Sequence, residues 1–248
     1  MSLDRQPDDV EALRQRYREL VSRLEHNDAE FRRLARSVMR VQEDERRRIA
    51  RELHDGVGQN LAALKHQLAL LQPVAPGAGH DRIGECIALC AQVLEDTRLL
   101  SRLLRPQVLD DLGLVAALQW LVRGVDGRDG LQVELQVEHP PSLEPDLQTV
   151  LFRVAQEALG NVARHAGATR ALLRLARRAD LAVLTVWDDG KGFDVAAAGL
   201  RASRGEAGGL AGMRERLRLH GGQLQVESGE QGTLLRALLP IGPGGSPA

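Results

Sequence analysis

The residues best equipped for chemistry sit in one stretch, ERRRIARELHDGVGQ, from Glu45 to Gln59. Within it His54 is followed at once by Asp55. A carboxylate can accept a hydrogen bond from one imidazole nitrogen and leave the other as a directed nucleophile. Arg47 and Arg51 lie seven and three residues before His54, nearly on one helical face, where they can meet an incoming anion. Gly56 and Gly58 each cost a helix interior about 1 kcal/mol relative to alanine. A helix that only packs would not carry them, so something must approach the backbone beside His54. These residue types suit phosphoryl transfer to His54. The plain alternative is a solvated histidine on an arginine-rich helix.

Three further clusters, far apart in sequence, suit one ligand. The first is QEALGNVARHA, residues 156–166. Glu157 and Asn161 are four apart and share a helix face, and His165 continues the line. The Asn161 amide oxygen can ligate a magnesium ion already bound to phosphates, because hard cations prefer such oxygens and keep several waters. The bare alternative is an exposed polar face. The second is WDDGKGF, residues 187–193, at the end of a strand. Its acid and spaced glycines let the backbone pass close to a planar group, with Asp188 able to accept from an exocyclic amine. An Asp-Gly pair is also an ordinary turn. The third is GGLAGMRERLRLHGG, residues 208–222, where Gly208, Gly209 and Gly212 open a helix whose free amides favour phosphate. Residues 194–207, rich in Ala, Gly and Ser without an apolar period, suit a mobile lid. Gly232–Thr233 can complete the far end of the site. No G-x-x-x-x-G-K-[ST] run is present, so a Walker-type fold is not supported.

These residues need two kinds of scaffold. From Leu13, apolar residues recur at alternating steps of four and three: Leu13, Tyr17, Leu20, Leu24, then Asn27, Phe31, Leu34, Val38, Val41. That is a coiled-coil seam, and Asn27 on it can fix register and strand number. Ile49, Leu53, Val57 and Leu61 then follow at steps of four, a stutter that changes the pitch at the histidine segment. The rod is either a passive dimer clamp or a means of passing a rotation to His54. Leu53 is on the seam, so His54 is about 100° off it and accessible. A turn around Pro73–Gly79 leads to a second helix with Ile83, Ile87, Cys90, Leu94, Thr97, Ser101 and Leu104 on one side. Two such hairpins should pair into a four-helix bundle. Asp110 or Asp111 can cap a short helix carrying Leu114, Leu118 and Leu121. Beyond it, alternation at 131–138, a helix near 143–165, strands near 171–176 and 181–187, a helix near 210–220 and strands near 223–227 and 233–239 predict a two-layer α/β sandwich.

Composition narrows the function. The chain has 248 residues, 43% hydrophobic but only 2% aromatic, so its cores rest on Leu, Val, Ala and Ile. A net charge of -1 gives no general pull toward nucleic acid or anionic lipid. No apolar run reaches the ~18 residues of a membrane span, and no signal peptide opens the chain. Cytoplasmic residence is the default expectation. Cys86 and Cys90, one helical turn apart with no histidine pattern beside them, read as two buried reduced thiols rather than a disulfide or metal pair.

Taken together, His54 with its flanks, the LRP at 104–106, the DLGL at 111–114 and the three clusters resemble a sensor histidine kinase of the nitrate-sensor type, the HisKA_3 class, over roughly residues 41 to 240. Each motif alone is weak; their order and joint presence are specific. The resemblance implies a dimerisation and histidine-phosphotransfer domain followed by a GHKL (Bergerat-fold) ATPase domain. It implies that ATP phosphorylates His54, with Asp55 as general base, and that an aspartate of a response-regulator receiver domain takes the phosphoryl group. Asn161 would hold Mg²⁺ with Glu157 and His165 beside it. Asp188 would read adenine, with Gly190 and Gly192 lining its pocket. Gly209 and Gly212 would flank the lid and phosphates, and Thr233 the adenine end. Asp55 and Gln59 also match a D-x-x-x-Q pattern, in which Gln59 positions water to dephosphorylate the partner. The last glycine box departs from the usual G-x-G-L: it reads Ala207-Gly208-Gly209-Leu210, which should alter the lid hinge slightly.

The expected organisation is therefore α plus α/β. Residues 1–9 are disordered, 10–44 a coiled-coil signalling helix, 45–107 the helical-hairpin dimer, 108–240 the ATP-binding domain and 241–248 a disordered tail. A homodimer is expected, with no direct nucleic-acid partner and no membrane segment. Two rivals remain: a GHKL ATPase or protein-serine kinase, which would have no use for His54–Asp55, and a non-catalytic dimeric scaffold, which would have no use for Asn161 and Asp188.

Overall fold

The fold is described from a computed structural model, which covers residues 6–104, 106–203 and 208–241. The chain divides into two units, Met1–Arg48 and Ile49–Ala248. The first is helical. Helix α1 runs Gln6–Arg51, so residues 6–9 are helical where disorder was expected. The seam residues Leu13, Tyr17, Leu20, Leu24, Phe31, Leu34, Val38 and Val41 are all more than half exposed in the single chain. The expectation for residues 1–5 lies outside the described residues.

The stutter in the sequence becomes a local change of helix type. Glu52–Gly58, the stretch holding His54, is π-helical, and α2 (Gln59–Leu71) follows it. A π turn holds about one more residue than an α turn. The inward-facing line accordingly steps five residues, from Leu53 to Gly58, before Leu61, Lys65 and Leu68 resume it. Val57, read as a seam residue, is instead 43% exposed, and Gly58 takes the inward place. After a turn in which Gly77 takes φ +51°, helix α3 (Ala78–Leu104) packs back on α2. Its inward line is the expected one, with Leu94, Thr97 and Ser101 buried. The Ser101 hydroxyl donates to the Ala50 carbonyl at 2.9 Å, pinning α3 to the residues just before the π turn. Cys90 is half-buried but Cys86 is exposed, contrary to the reading of two buried thiols. Position 86 lies at the flank of the inward line of α3, toward exposed Leu89 and Val93.

Helix α4 spans Gln107–Val125 and is kinked at Gly113, which takes φ +77°. The first N–H of its second half is met from another helix rather than by the expected Asp110 or Asp111. The Leu114 N–H is taken by the Gln148 side-chain oxygen at 2.9 Å, from helix α5 (Pro145–Asn161). Strand β1 (Gln132–Glu138) pairs parallel with β2 (Arg170–Arg178). Strands β3 (Leu181–Asp188), β4 (Gln223–Gly229) and β5 (Gly232–Pro240) add antiparallel pairs, giving the order β1-β2-β3-β5-β4. Helices α4, α5 and α7 (Gly209–Leu219) cover one face. The core between the layers is aliphatic, as composition required: Leu118, Leu151, Leu159, Leu173, Leu184 and Leu239, with Phe152 the one fully buried aromatic among the described residues and Trp120 packed at its margin. Ile241, assigned to the tail, donates its N–H to the Asp180 carbonyl and packs on this core; residues 242–248 lie outside the described ones. Among the described residues, no helix is long and apolar enough to cross a membrane.

The β2–β3 hairpin turns through Ala179 at φ +51°. A Cβ costs roughly 1–2 kcal/mol in that region, whereas glycine enters it freely. Ala179→Gly should therefore stabilise the α/β domain by about 0.5–1 kcal/mol, read as a rise of about 2 °C in its melting temperature. An unchanged or lower value would show that the turn is not strained.

Candidate functional site

Strand parity puts an acid in the core. Along β3 the inward residues alternate as Ala182, Leu184, Val186 and then Asp188, all buried. Asp188 is 4% exposed. Its Oδ1 accepts the Gly190 N–H at 2.9 Å. Burial pushes its pKa above the ordinary 3.8, against the opposing pull of the Gly190 and Thr233 backbone N–H groups. A carboxylate held at that cost, facing a cavity, is arranged for a ligand.

Asp189 points the other way. It accepts the Thr169 and Arg170 backbone N–H groups at 2.8 Å each and the Thr169 hydroxyl at 2.8 Å. The Arg170 N–H and then the Thr169 hydroxyl hold its pKa at about 2. This clamp fixes the 188–193 loop against the start of β2. The Lys191 N–H donates to the Ala166 carbonyl at 3.0 Å, tying the loop to the end of α5 as well. Gly190 is obligatory there: a Cβ would lie 2.5 Å from the Ala166 oxygen. Gly192 takes φ +62°, and a Cβ on it would strike the Gly229 carbonyl.

Helix α5 ends in a second π turn, Val162–Ala166, closed by Gly167 in the left-handed region at φ +60°. Between this turn, the 188–193 loop, helix α6 (Val195–Ser203) and the start of α7 lies a cavity of about 620 Å³. Its apolar wall is Ala158, Val162, Val186 and Leu235, with Asp188 at its base. Asn161, His165, Gly192, Gly209 and Thr233 line it, so the three sequence clusters do converge. The Thr233 hydroxyl is 2.9 Å from the Ser228 hydroxyl, which accepts the Phe193 N–H at 2.9 Å.

Other expected residues lie elsewhere. Glu157 does not line the cavity; its carboxylate lies against Gly209 where any side chain would meet it. Gly212 is exposed, its Cβ position meets nothing within 4 Å, and it does not line the cavity. His54, Asp55 and Gln59 are exposed on the hairpin and line no part of it. The Cβ position of Gly56 is also open, so nothing in the chain's own packing requires glycine there. The lid expectation is corrected in part. Residues Val195–Ser203 form a helix, whose Ala197 N–H is capped by Asp194 Oδ1 at 2.9 Å; 204–207 lie outside the described residues.

Sequence reasoning missed two cations on the cavity wall, Arg164 and Lys191. Both stood inside quoted clusters, and a basic residue beside a glycine-rich turn was the available signal. With His165 they share the cavity with Asp188, the one acid among its described lining residues, a charge pattern suited to phosphates at the mouth and a planar base at the bottom. No cluster of three or more His, Cys, Asp or Glu among the described residues could cage a metal alone. The Asn161 amide suits a cation that arrives already bound to phosphate oxygens.

Residues 45–109 match the HisKA_3 family model, described as histidine kinase. Residues 146–243 match the HATPase_c model, described as histidine kinase-, DNA gyrase B-, and HSP90-like ATPase. The chain is 37% identical over 217 residues to the sensor histidine kinase MctS of Rhizobium johnstonii, covering 86% of this chain and 47% of that one. It is 34% identical over 235 residues to the signal transduction histidine-protein kinase/phosphatase UhpB of Salmonella typhimurium, covering 91% and 45%. The chain thus spans about half the length of these relatives. The histidine kinase domain of the Erythrobacter litoralis blue-light activated histidine kinase superposes with a TM-score of 0.44 at 20% identity, over 73% of this chain and 96% of that one.

The two aspartates carry opposite predictions. Folding penalises the ionised form of Asp188, so its contribution improves as pH falls through its raised pKa. Asp188→Asn should leave the melting temperature at pH 7 unchanged or about 2 °C higher. A large loss would make Asp188 a structural residue. Asp189 is the reverse. Its lowered pKa contributes stability above the ordinary 3.8 that disappears as pH falls toward about 2. Asp189→Ala should lower the melting temperature at neutral pH, and the difference from the parent should shrink across that acid window.

Proposed function

Since the chain belongs to the histidine kinases of the HisKA_3 class, we propose that it is a two-component kinase. It binds ATP in the cavity above Asp188 and phosphorylates His54. One observation carries this reading: a buried carboxylate and a row of cations share a cavity, in the same chain that holds an exposed His–Asp pair on a π turn. Asp188 accepts from the adenine amine, the apolar wall packs the ring, and Gly192 lets the backbone approach it; Gly190, off the cavity wall, holds Asp188 through its N–H. Thr233 lies beside that end. Arg164, Lys191 and His165 meet the phosphates with the backbone at Gly209; Gly212, open and off the cavity wall, has no assigned contact. Glu157 holds Gly209 in place. Asn161 is the ligand for Mg²⁺, which when bound neutralises phosphate charge.

Transfer requires the ATP-binding domain to move until the γ-phosphorus meets the free imidazole nitrogen of His54. The nitrogen–phosphorus bond forms as the bond to the ADP oxygen breaks, and Asp55 accepts the ring proton. Catalysis is then largely positioning and charge neutralisation. The phosphoryl group passes next to an aspartate of a response-regulator receiver domain. The open space at Gly56 fits the approach of such a partner. Gln59, exposed one turn beyond Asp55, orients water for the reverse, phosphatase step. The kinase/phosphatase title of UhpB supports that second activity. A homodimer is supported by the apolar residues left outside each hairpin: Val57, Leu64 and Leu71 at steps of seven on one helix line, and Leu89, Val93 and Leu100 on α3. Burial in a four-helix bundle would remove them from water.

Incubation with γ-labelled ATP should give a label that is acid-labile and base-stable. A base-labile, acid-stable label would favour a protein-serine kinase, and absence of ATP binding would favour a scaffold. His54→Gln should abolish labelling while ATP binding persists; retained phosphohistidine would refute the site. Asp188→Asn should weaken ATP by about 100-fold, as expected for losing a charge-assisted hydrogen bond in a desolvated pocket. Gln59→Ala should slow dephosphorylation of the regulator and spare autophosphorylation; equal loss of both would argue against its role.

A further inference from the structure

Arginine is almost never fully buried unless its donors are satisfied. Arg153 is 5% exposed, in the middle of a run on α5, Leu151 to Ala155, that is buried all round. Its guanidinium does not reach the nucleotide cavity. One terminal nitrogen donates to the Leu104 carbonyl at 2.7 Å, and the other to the Gln156 side-chain oxygen at 2.8 Å. Leu104 is the last residue of α3, the hairpin's second helix. The carbonyls at a helix C-terminus lack helical partners and carry the negative end of the helix dipole, so a cation is well placed there. The link therefore joins the hairpin's end to the ATP-binding domain's central helix.

Position matters as much as strength. Arg153, Glu157 and Asn161 succeed one another at steps of four along α5. A single rigid helix thus carries the contact to the hairpin at its midpoint and Asn161, on the cavity wall, at its C-terminal end, about 12 Å apart. The bonded carbonyl is two residues from Pro106, where the chain passes from α3 to α4. When one body turns about another, displacement is least beside the connecting segment. A hydrogen bond there can persist through a swing that carries the cavity toward His54.

We infer that Arg153 is a positioning residue for phosphotransfer: its bond to the Leu104 carbonyl is the pivot about which the ATP-binding domain turns on the hairpin. It leaves nucleotide affinity alone and sets how often the bound nucleotide meets His54. Without it the domain samples a larger volume around the linker, and the effective concentration of the phosphate at the imidazole falls. This rests on the kinase reading above.

The full chain tests it. In Arg153→Met, the ATP dissociation constant should stay within about 2-fold, while His54 labelling at saturating ATP slows by about 10-fold or more, the size expected when tethering geometry is loosened. Arg153→Lys, which keeps one donor for the Leu104 carbonyl, should recover most of the rate. Gln156→Leu, which removes the second acceptor, should slow labelling by about 3-fold. Amide exchange across residues 107–109 should quicken in Arg153→Met even without nucleotide. An Arg153→Met protein that labels at the parental rate would overturn the pivot, as would loss of rate and affinity together. If Arg153→Met does not fold, a parental rate in Gln156→Leu overturns it equally. Absence of label in the parent would strike the kinase reading instead; unchanged amide exchange in Arg153→Met would then still refute the pivot.

Discussion

The site depends on one buried carboxylate that the fold would be more comfortable without. Asp188 occupies a place in β3 where parity calls for an apolar residue, at the end of the inward series Ala182, Leu184, Val186. The surroundings are built to tolerate it. Gly190 supplies an N–H and cannot be anything larger, because the Ala166 carbonyl sits where its Cβ would be. Gly232, opposite on β5, takes φ +109° with its α-carbon against the Asp188 carbonyl. Asp189, by contrast, is stabilised where it stands, and its clamp on Thr169 and Arg170 is what holds the loop still. One strand end therefore separates two chemically identical side chains into a destabilising, cavity-facing acid and a structural one.

Much of this was legible in the sequence because hydrophobic period and strand parity are local signals. The strands, α5, α7 and the hairpin follow from alternation and from steps of three and four, and the three glycine-bearing clusters do meet in one cavity. What was not legible involves partners distant in sequence or subtle helix geometry. The cap on Leu114 comes from Gln148, thirty-four positions on, so Asp110 and Asp111 looked like the better candidates. The left-handed turn at Gly113 hides inside a run that otherwise reads as one helix. Arg164 and Lys191 come to one cavity wall only once the Lys191 N–H is tied to the Ala166 carbonyl.

The stutter at Ile49–Leu61 was visible, but its structural outcome was not. Steps of four can be met by unwinding a supercoil or by widening one turn of helix, and the chain does the latter. The price is plain in the packing: Gly58 goes inside, and the apolar Val57 is left out. The Ser101 hydroxyl, bonded to the Ala50 carbonyl, holds the neighbouring helix against the residues where that exchange begins. Both histidines of the two sites, His54 and His165, thus ride on π turns, where the backbone is less regular and the side chain is presented outward.

The alternation along β3 has a consequence for how this domain can vary. Adding or deleting one residue between Leu181 and Asp188 would exchange the two aspartates, sending the clamp inward and the cavity-facing acid to the surface. Two residues would preserve both. Length polymorphism in this strand should therefore come in even steps, whereas the connection beyond Phe193 has no such arithmetic and is where insertions of any size can accumulate.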